Sequence, residues 1–374
     1  MKTRKISKNK KKVASGLTST LKVKSYSPQV NRLLDISRLE TIVPQKVNLC
    51  DSLLKINIGT KTRPNCLEYN NKKVTEFMLR NLRSTKHLVP TKFIGPKQLT
   101  ANCWFNTMFV AFFFSDKGRK FFRFLRVLMI TGQKYDKTPL KDEELKKLFF
   151  ILNLFIEASY NQSDNNKLYE HISHLTNNLN TNFFIKKIYE KINKEQIDRR
   201  IPDVDQEGNP LEYYKSIIKF LNYNILKLRN IDIDEELTSN ISKTGMNDFI
   251  KEKFVSFNVV PDIMILEDHE SGMIHNNSYK LSKNGRNYNY KLDSIILTNK
   301  NHYNPKANSH FVCVLTINKE LYRFDGSSYS RLSKFNWKKI LNKNVDWTFK
   351  ENPKYYAEKY NMQKGYKIMF YYRS

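Results

Sequence analysis

The sequence predicts an α+β protein. Apolar residues recur at helical spacing from residue 103 to about 221, and short β-branched or aromatic runs separated by Asn, Gly and Lys clusters follow, with no internal repeat. Helices first and an antiparallel sheet second make a domain with a cleft between its halves.

The N-terminus belongs to neither half. Met1–Ser25 carries nine Lys or Arg, and the first acidic residue of the chain is Asp35. A block of one sign repels itself and lacks the apolar surface to fold, so residues 1–28 are expected to be a disordered basic tail. Residues 29–92 mix weak amphipathic signals with Pro44 and Pro64 and are assigned as an extension of unknown role, and the ordered text begins at 93. A helix is expected over Cys103–Phe114, an interval without Gly or Pro, with Thr100 and Asn102 as caps. Further helices are expected over 119–130, over 143–158 (with Leu145, Leu148, Phe149, Leu152 and Phe155 at helical spacing), over 165–193 and over 211–221. Strands are expected over 254–266, 290–298, 310–317, 320–325 and 366–372.

At 374 residues and 44.4 kDa the chain can bury a core of its own. Its four cysteines, Cys50, Cys66, Cys103 and Cys313, form neither a CxxC pair nor a dense framework, so disulfides are not expected to hold the fold, and a reducing intracellular compartment is expected. The most apolar run, 104–115, is about a dozen residues long and is followed by Asp116, Lys117, Arg119 and Lys120, too short to span a bilayer. No apolar segment follows the first charges, so Met1–Lys12 is not expected to be a signal peptide. The formal charge of +29 favours non-specific attraction to nucleic acid, centred on the tail. The abundance of Lys, Asn and Ile also fits the coding bias of an AT-rich genome, which accounts for part of the lysine excess.

Chemistry enters at Cys103. A thiol attacks as thiolate, and a helix N-terminus favours the anion. A lone cysteine before an apolar helix is ordinarily a structural residue, so the assignment needs partners. His310 opens a strand pattern, Phe311 to Ile317, and Asp325 ends the next one. A tight turn at Asn318 and Lys319 sets those strands side by side, so imidazole and carboxylate meet across them. Gln98, five residues before Cys103, can reach over the helix start to hold an oxyanion together with the Cys103 backbone N–H; Asn102 is a competing donor. His302 rivals His310, but Asn304 and Pro305 interrupt any strand there. His171 and His174, three apart on a predicted helix, lack a third ligand and are read as solvated.

These residues carry a resemblance. Cys103-Trp104-Phe105-Asn106-Thr107 is similar to the cysteine box of ubiquitin-specific proteases. In the same order as in that family follow a Pro261 to Leu266 strand, a Tyr290 to Leu297 strand, Ser309-His310-Phe311 for the histidine box, Leu321 to Asp325 for the Phe-Asp box, and Gly365 to Tyr371 for the terminal strand. The resemblance covers 93–374 and implies a papain-like cysteine peptidase fold, helical subdomain first and sheet subdomain second. It also implies a Cys103–His310–Asp325 triad assisted by Gln98, no cofactor and no metal, and a polypeptide substrate such as ubiquitin or a ubiquitin-like protein. The chain departs from the family in carrying Gln98 where Asn is usual, in lacking Gly before Cys103 and His310, in Gly326 replacing a second Asp, and in having no CxxC pairs for a zinc-bound region. Proteases of the adenoviral and SUMO-processing kind place the nucleophile after the acid, and no cysteine follows Cys313. The alternatives are a virus-encoded protease that matures virion proteins, found in host cytoplasm and virion, and a basic nucleic-acid-binding protein on an inactive peptidase fold. Retention of all four site residues speaks against the inactive form.

Overall fold

An apolar helix laid along an apolar strand is the axis of the molecule. The computed structural model describes residues 50–374, apart from 51, 53, 61, 84–87, 94, 97, 161–180, 195–201, 205, 207, 222–226, 234–240, 242–244, 270–271, 300–309, 328 and 350–357. The basic tail, His171, His174, His302 and Ser309 lie outside the described residues, as does the expected helix between 165 and 180.

The chain opens with a small hairpin, β1 (Lys55–Asn57) and β2 (Cys66–Glu68), followed by helix α1 (Lys72–Arg83). A Cys50–Cys66 disulfide ties this hairpin to the residues before it. Nothing in the sequence points to this pairing: the partners are 16 residues apart, a spacing no cysteine motif marks. This segment, read from sequence as an extension, supplies Leu54, Ile56, Val74, Met78 and Leu88 to the main core.

Next come α2 (Cys103–Phe114), a single turn at Gly118–Phe121, α3 (Arg123–Thr131), α4 (Glu143–Tyr160), α5 (Asn182–Lys194) and α6 (Pro210–Phe220). All twelve residues of α2 are buried, as expected of a helix apolar on every side. The helix expected over 119–130 breaks at Phe122, whose ring stacks on Phe112 at 4.0 Å, turning the chain before α3 begins. That helix ends on Gly132, at φ 64°, donating its N–H to the Leu128 carbonyl.

The sheet takes strands β3 (Leu228–Ile233), β4 (Ile263–Asp268), β5 (Ser278–Lys283), β6 (Arg286–Thr298), β7 (Phe311–Ile317), β8 (Glu320–Asp325), β9 (Tyr329–Lys334) and β12 (Lys367–Arg373). Their order is β3-β4-β12-β6-β7-β8-β9, with β5 paired to the first half of β6; only β3 and β4 run parallel. A short pair, β10 (Asp346–Trp347) and β11 (Tyr360–Asn361), stands apart. The strand expected over 254–266 is corrected. Phe254 lies in the last turn of helix α7 (Met246–Ser256), whose Met246, Phe249, Ile250 and Phe254 face a core at helical spacing, and the strand starts only after Pro261.

The sheet is covered on both faces. Phe311, Cys313, Leu315 and Ile317 of β7 face α2 and its neighbours, while Val312 and Val314 face a second core with α7, Trp337 and Trp347. Burial on both sides explains why this strand reads as unbroken apolar text. Among the described residues no helix is long and apolar enough to cross a membrane.

Candidate active site

Helix α2 and strand β7 run in the same direction, and their lengths nearly match. Twelve helical residues rise roughly 18 Å and seven strand residues roughly 23 Å. The far end is pegged by Asp116, whose carboxylate accepts from the Asn318 and Lys319 N–H groups, both at 2.9 Å, while its own N–H donates to the Thr316 carbonyl at 2.8 Å. Asn318 and Lys319 have φ of 50° and 68°, the two left-handed residues of a tight hairpin turn, as the sequence predicts. With that end fixed, Cys103 at the start of the helix comes beside His310 at the start of the strand.

The His310 backbone is held by Asn299: its N–H donates to Asn299 Oδ1 at 2.9 Å, and the Asn299 N–H donates to its carbonyl at 3.3 Å. Asp325 is carried to the histidine by the antiparallel pairing of β7 and β8, in which Cys313 opposes Phe324 and Ile317 opposes Glu320. His310 Nε2 lies 2.7 Å from Asp325 Oδ1, and both residues are buried. Cys103 stands close enough to the same imidazole to act on it electrostatically, and with Nε2 turned to Asp325 the ring nitrogen left for the thiol is Nδ1. Burial works against a charged His310, but the hydrogen bonds and charges of Asp325 and Cys103 outweigh it and raise the imidazole well above its ordinary value.

The helix start differs from the expectation of Thr100 and Asn102 as caps. No side chain caps α2: Asn102 Nδ2 donates to Thr181 Oγ1 at 2.8 Å, and Thr100 Oγ1 donates to Asn182 Oδ1 at 2.8 Å. Forgoing a cap costs about 1 kcal/mol, but it leaves the first-turn N–H groups pointed at whatever lies beyond Cys103. Asn102, the competing donor, spends one of its two amide N–H groups on Thr181. The Gln98 N–H donates to the Gly326 carbonyl at 2.9 Å, which fastens this residue to the turn after Asp325. Its Oε1 is buried with no partner among the described residues. Gly326 is closely packed there: a Cβ would lie 3.2 Å from the Pro96 carbonyl and 3.4 Å from Asn106 Nδ2. Thus Gln98, Cys103, His310 and Asp325 are brought to one end of the helix–strand pair.

Two features escaped the sequence reading. Ser327 sits against the pair, with its Oγ 2.9 Å from Asp325 Oδ1 and 3.2 Å from His310 Nε2; an Asp-Gly-Ser turn carries no signal for this. Asp232, Glu267 and His269 place ligand-type atoms within 4.8 Å of one another. Their contacts are with one another and with neighbours: His269 Nε2 lies 3.0 Å from Asp232, and Glu267 accepts from Tyr366, Asn209 and Asn230.

No family model and no curated protein matches the chain. Among solved structures it is similar to the Ubp8/Sgf11/Sus1/Sgf73 SAGA DUB module bound to ubiquitin aldehyde, with TM-score 0.43 and 10% identity over 82% of this chain and 76% of that one. It is also similar to the Ubp8-Sgf11-Sgf73-Sus1 SAGA DUB module, at TM-score 0.40 and 12% identity over 83% and 76% of the two chains. A yeast SAGA DUB module with mutated Sgf73 gives TM-score 0.37 and 10% identity over 82% and 76%.

Proposed function

We propose that the chain is a cysteine peptidase of papain-like fold that cleaves peptide or isopeptide bonds, with ubiquitin or a ubiquitin-like protein as the acyl part of its substrate. The observation that carries this reading is a thiol at an uncapped helix N-terminus beside an imidazole whose Nε2 lies 2.7 Å from a buried carboxylate. A raised imidazole next to a thiol is what a thiolate–imidazolium pair requires.

In the reaction Cys103 gives its proton to His310 and its sulfur attacks the carbonyl carbon. The oxyanion receives the Gln98 amide and the Cys103 backbone N–H, a first-turn donor with no partner inside the helix. His310 then protonates the departing amine, leaving a thioester on Cys103. A water attacks that thioester with His310 as base, and the acid product leaves with the thiol restored. Asp325 keeps the ring aligned throughout. Every step is met by these side chains and one water.

Ubiquitin carrying a C-terminal electrophile tests enzyme and substrate class together. The expected result is a single adduct on Cys103, located by mass spectrometry. Labelling by a generic peptide electrophile but not by the ubiquitin probe keeps the peptidase and discards its ubiquitin-type substrate, which leaves maturation of other polypeptides. An adduct on Cys313 would discard the nucleophile.

A further inference from the structure

We infer that Ser327 is a positioning residue of the site, holding His310 Nε2–H and Asp325 Oδ1 in a single fork. This rests on the peptidase reading for what the imidazole does, although the fork itself is a matter of geometry alone.

Asp325 Oδ1 accepts the Ser327 N–H at 2.8 Å, the Ser327 hydroxyl at 2.9 Å and His310 Nε2–H at 2.7 Å. The backbone hydrogen bond by itself is an ordinary Asx turn, common where a strand ends. The hydroxyl does more, because its oxygen also lies 3.2 Å from His310 Nε2. With its proton given to Asp325, that oxygen presents a lone pair to the ring N–H, so Nε2–H has two acceptors and Oδ1 has three donors. Two acceptors at Nε2 favour the tautomer protonated there, which frees the Nδ1 lone pair for the thiol proton. When the proton arrives, the imidazolium keeps the same partners and nothing need reorganise.

Place matters as well as bonding. His310 and Asp325 are buried, whereas Ser327, whose hydroxyl contacts both, is exposed. The hydroxyl therefore takes the position from which a water would otherwise compete for Asp325 Oδ1. Gly326 sets this up: its close approach to Pro96 and Asn106 draws the turn inward, so the next residue folds back over the pair. The groups facing His310 are Cys103 from α2, Asp325 from β8 and this hydroxyl, and Tyr360 of β11 lies near both Cys103 and Asp325. Ser327 is neither nucleophile, base nor acid, yet its hydroxyl touches both His310 and Asp325.

The test compares Ser327→Ala with Ser327→Thr, each alone and in Asp325→Asn. Two readouts need no substrate: the rate of Cys103 alkylation by iodoacetamide, and the ¹⁵N shifts of the His310 ring, which report the tautomer. Loss of one hydrogen bond to a charged group predicts that Ser327→Ala slows alkylation and lowers kcat about tenfold, with KM unchanged. The ring shifts should move toward a mixture of tautomers, and Ser327→Thr should restore both. In Asp325→Asn the Ala change should add less than about twofold, because residues acting through one another are not additive. Unchanged alkylation and ring shifts in Ser327→Ala, equal losses in the Ala and Thr variants, or a change confined to KM would each overturn the assignment. A wild-type protein that is rapidly alkylated at Cys103 but hydrolyses no peptide or ubiquitin substrate would overturn the proposed function and leave the fork intact.

Discussion

Two histidine–carboxylate pairs sit on this sheet with nearly the same local geometry. His310 Nε2 lies 2.7 Å from Asp325 Oδ1, and His275 Nε2 lies 2.6 Å from Asp268 Oδ2. The difference is the third group. Lys367 Nζ lies 2.7 Å from the same Asp268 oxygen, and that trio is wholly buried, with His275 Nδ1 lacking any partner among the described residues. Burial, with the Lys367 charge added to it, lowers His275 below its ordinary value despite the Asp268 hydrogen bond. At the other pair burial is overcome by Asp325 and a thiol, and His310 goes up. A carboxylate beside a histidine therefore does not fix the charge of the ring: a cation sharing the carboxylate goes with a lowered imidazole, and a neighbouring thiol with a raised one.

The largest expected effect separates the two pairs by chemistry. Cys103→Ala and His310→Ala should each abolish turnover, a loss on the order of 10⁴–10⁶ in kcat. His275→Gln should leave kcat of the folded protein near wild type. A variant of His310 that retains full turnover would end the comparison. Stability should show the reverse pattern. Asp268→Asn strands the Lys367 charge inside the protein and should cost ~3–5 kcal/mol, read as a lower urea midpoint, with the remaining folded fraction still active. Next in size, Gln98→Ala should lower kcat by ~10²–10³ at little cost to stability. Asp325→Asn should leave a measurable remainder.

The pH dependence of stability sharpens the contrast, because the two shifts have opposite sign. His310 is raised in the folded state, so its contribution is full below the unfolded value of about 6.5 and is lost as pH rises through the folded one. His275 is lowered, so its neutral, folded form is favoured above about 6.5 and stability is lost as pH falls below that. Urea midpoints across pH should therefore decline on both sides, and His310→Ala should remove the alkaline decline while leaving the acid one. The smallest effect touches neither pair. Deleting Met1–Ser25 should leave turnover unchanged and reduce binding to duplex DNA. The slope of log affinity against log salt should become shallower by ~0.9 for each phosphate that the tail neutralises. Equal affinities and slopes for the two forms, measured by filter binding, would return the +29 charge to composition alone.

Much of one site was legible because its signals are local. Helix α2 begins at Cys103 as its apolar run predicts, and the left-handed pair Asn318 and Lys319 closes the hairpin that sets His310 against Asp325. The second pair was not legible at all. Its residues are His275, Asp268 and Lys367, of which the last comes from a strand 99 residues beyond the second, and no spacing brings them to notice. The caps failed for a similar reason. Asn102 and Thr100 have the right chemistry for α2, but Thr181 and Asn182, distant in sequence, offer their side chains better-placed partners.

The α+β order, the helix that starts on Cys103 and the hairpin that joins His310 to Asp325 follow from the order of residues alone. These depend on period, turn chemistry and residues within about one element of each other, which local physics governs. Folding in three dimensions settled the rest: which amides are spent elsewhere, that Ser327 contacts both His310 and Asp325, and that one buried histidine is pushed down while the other is pushed up. Desolvation and charge act through space, so their sum at any group depends on neighbours that only the folded chain assembles.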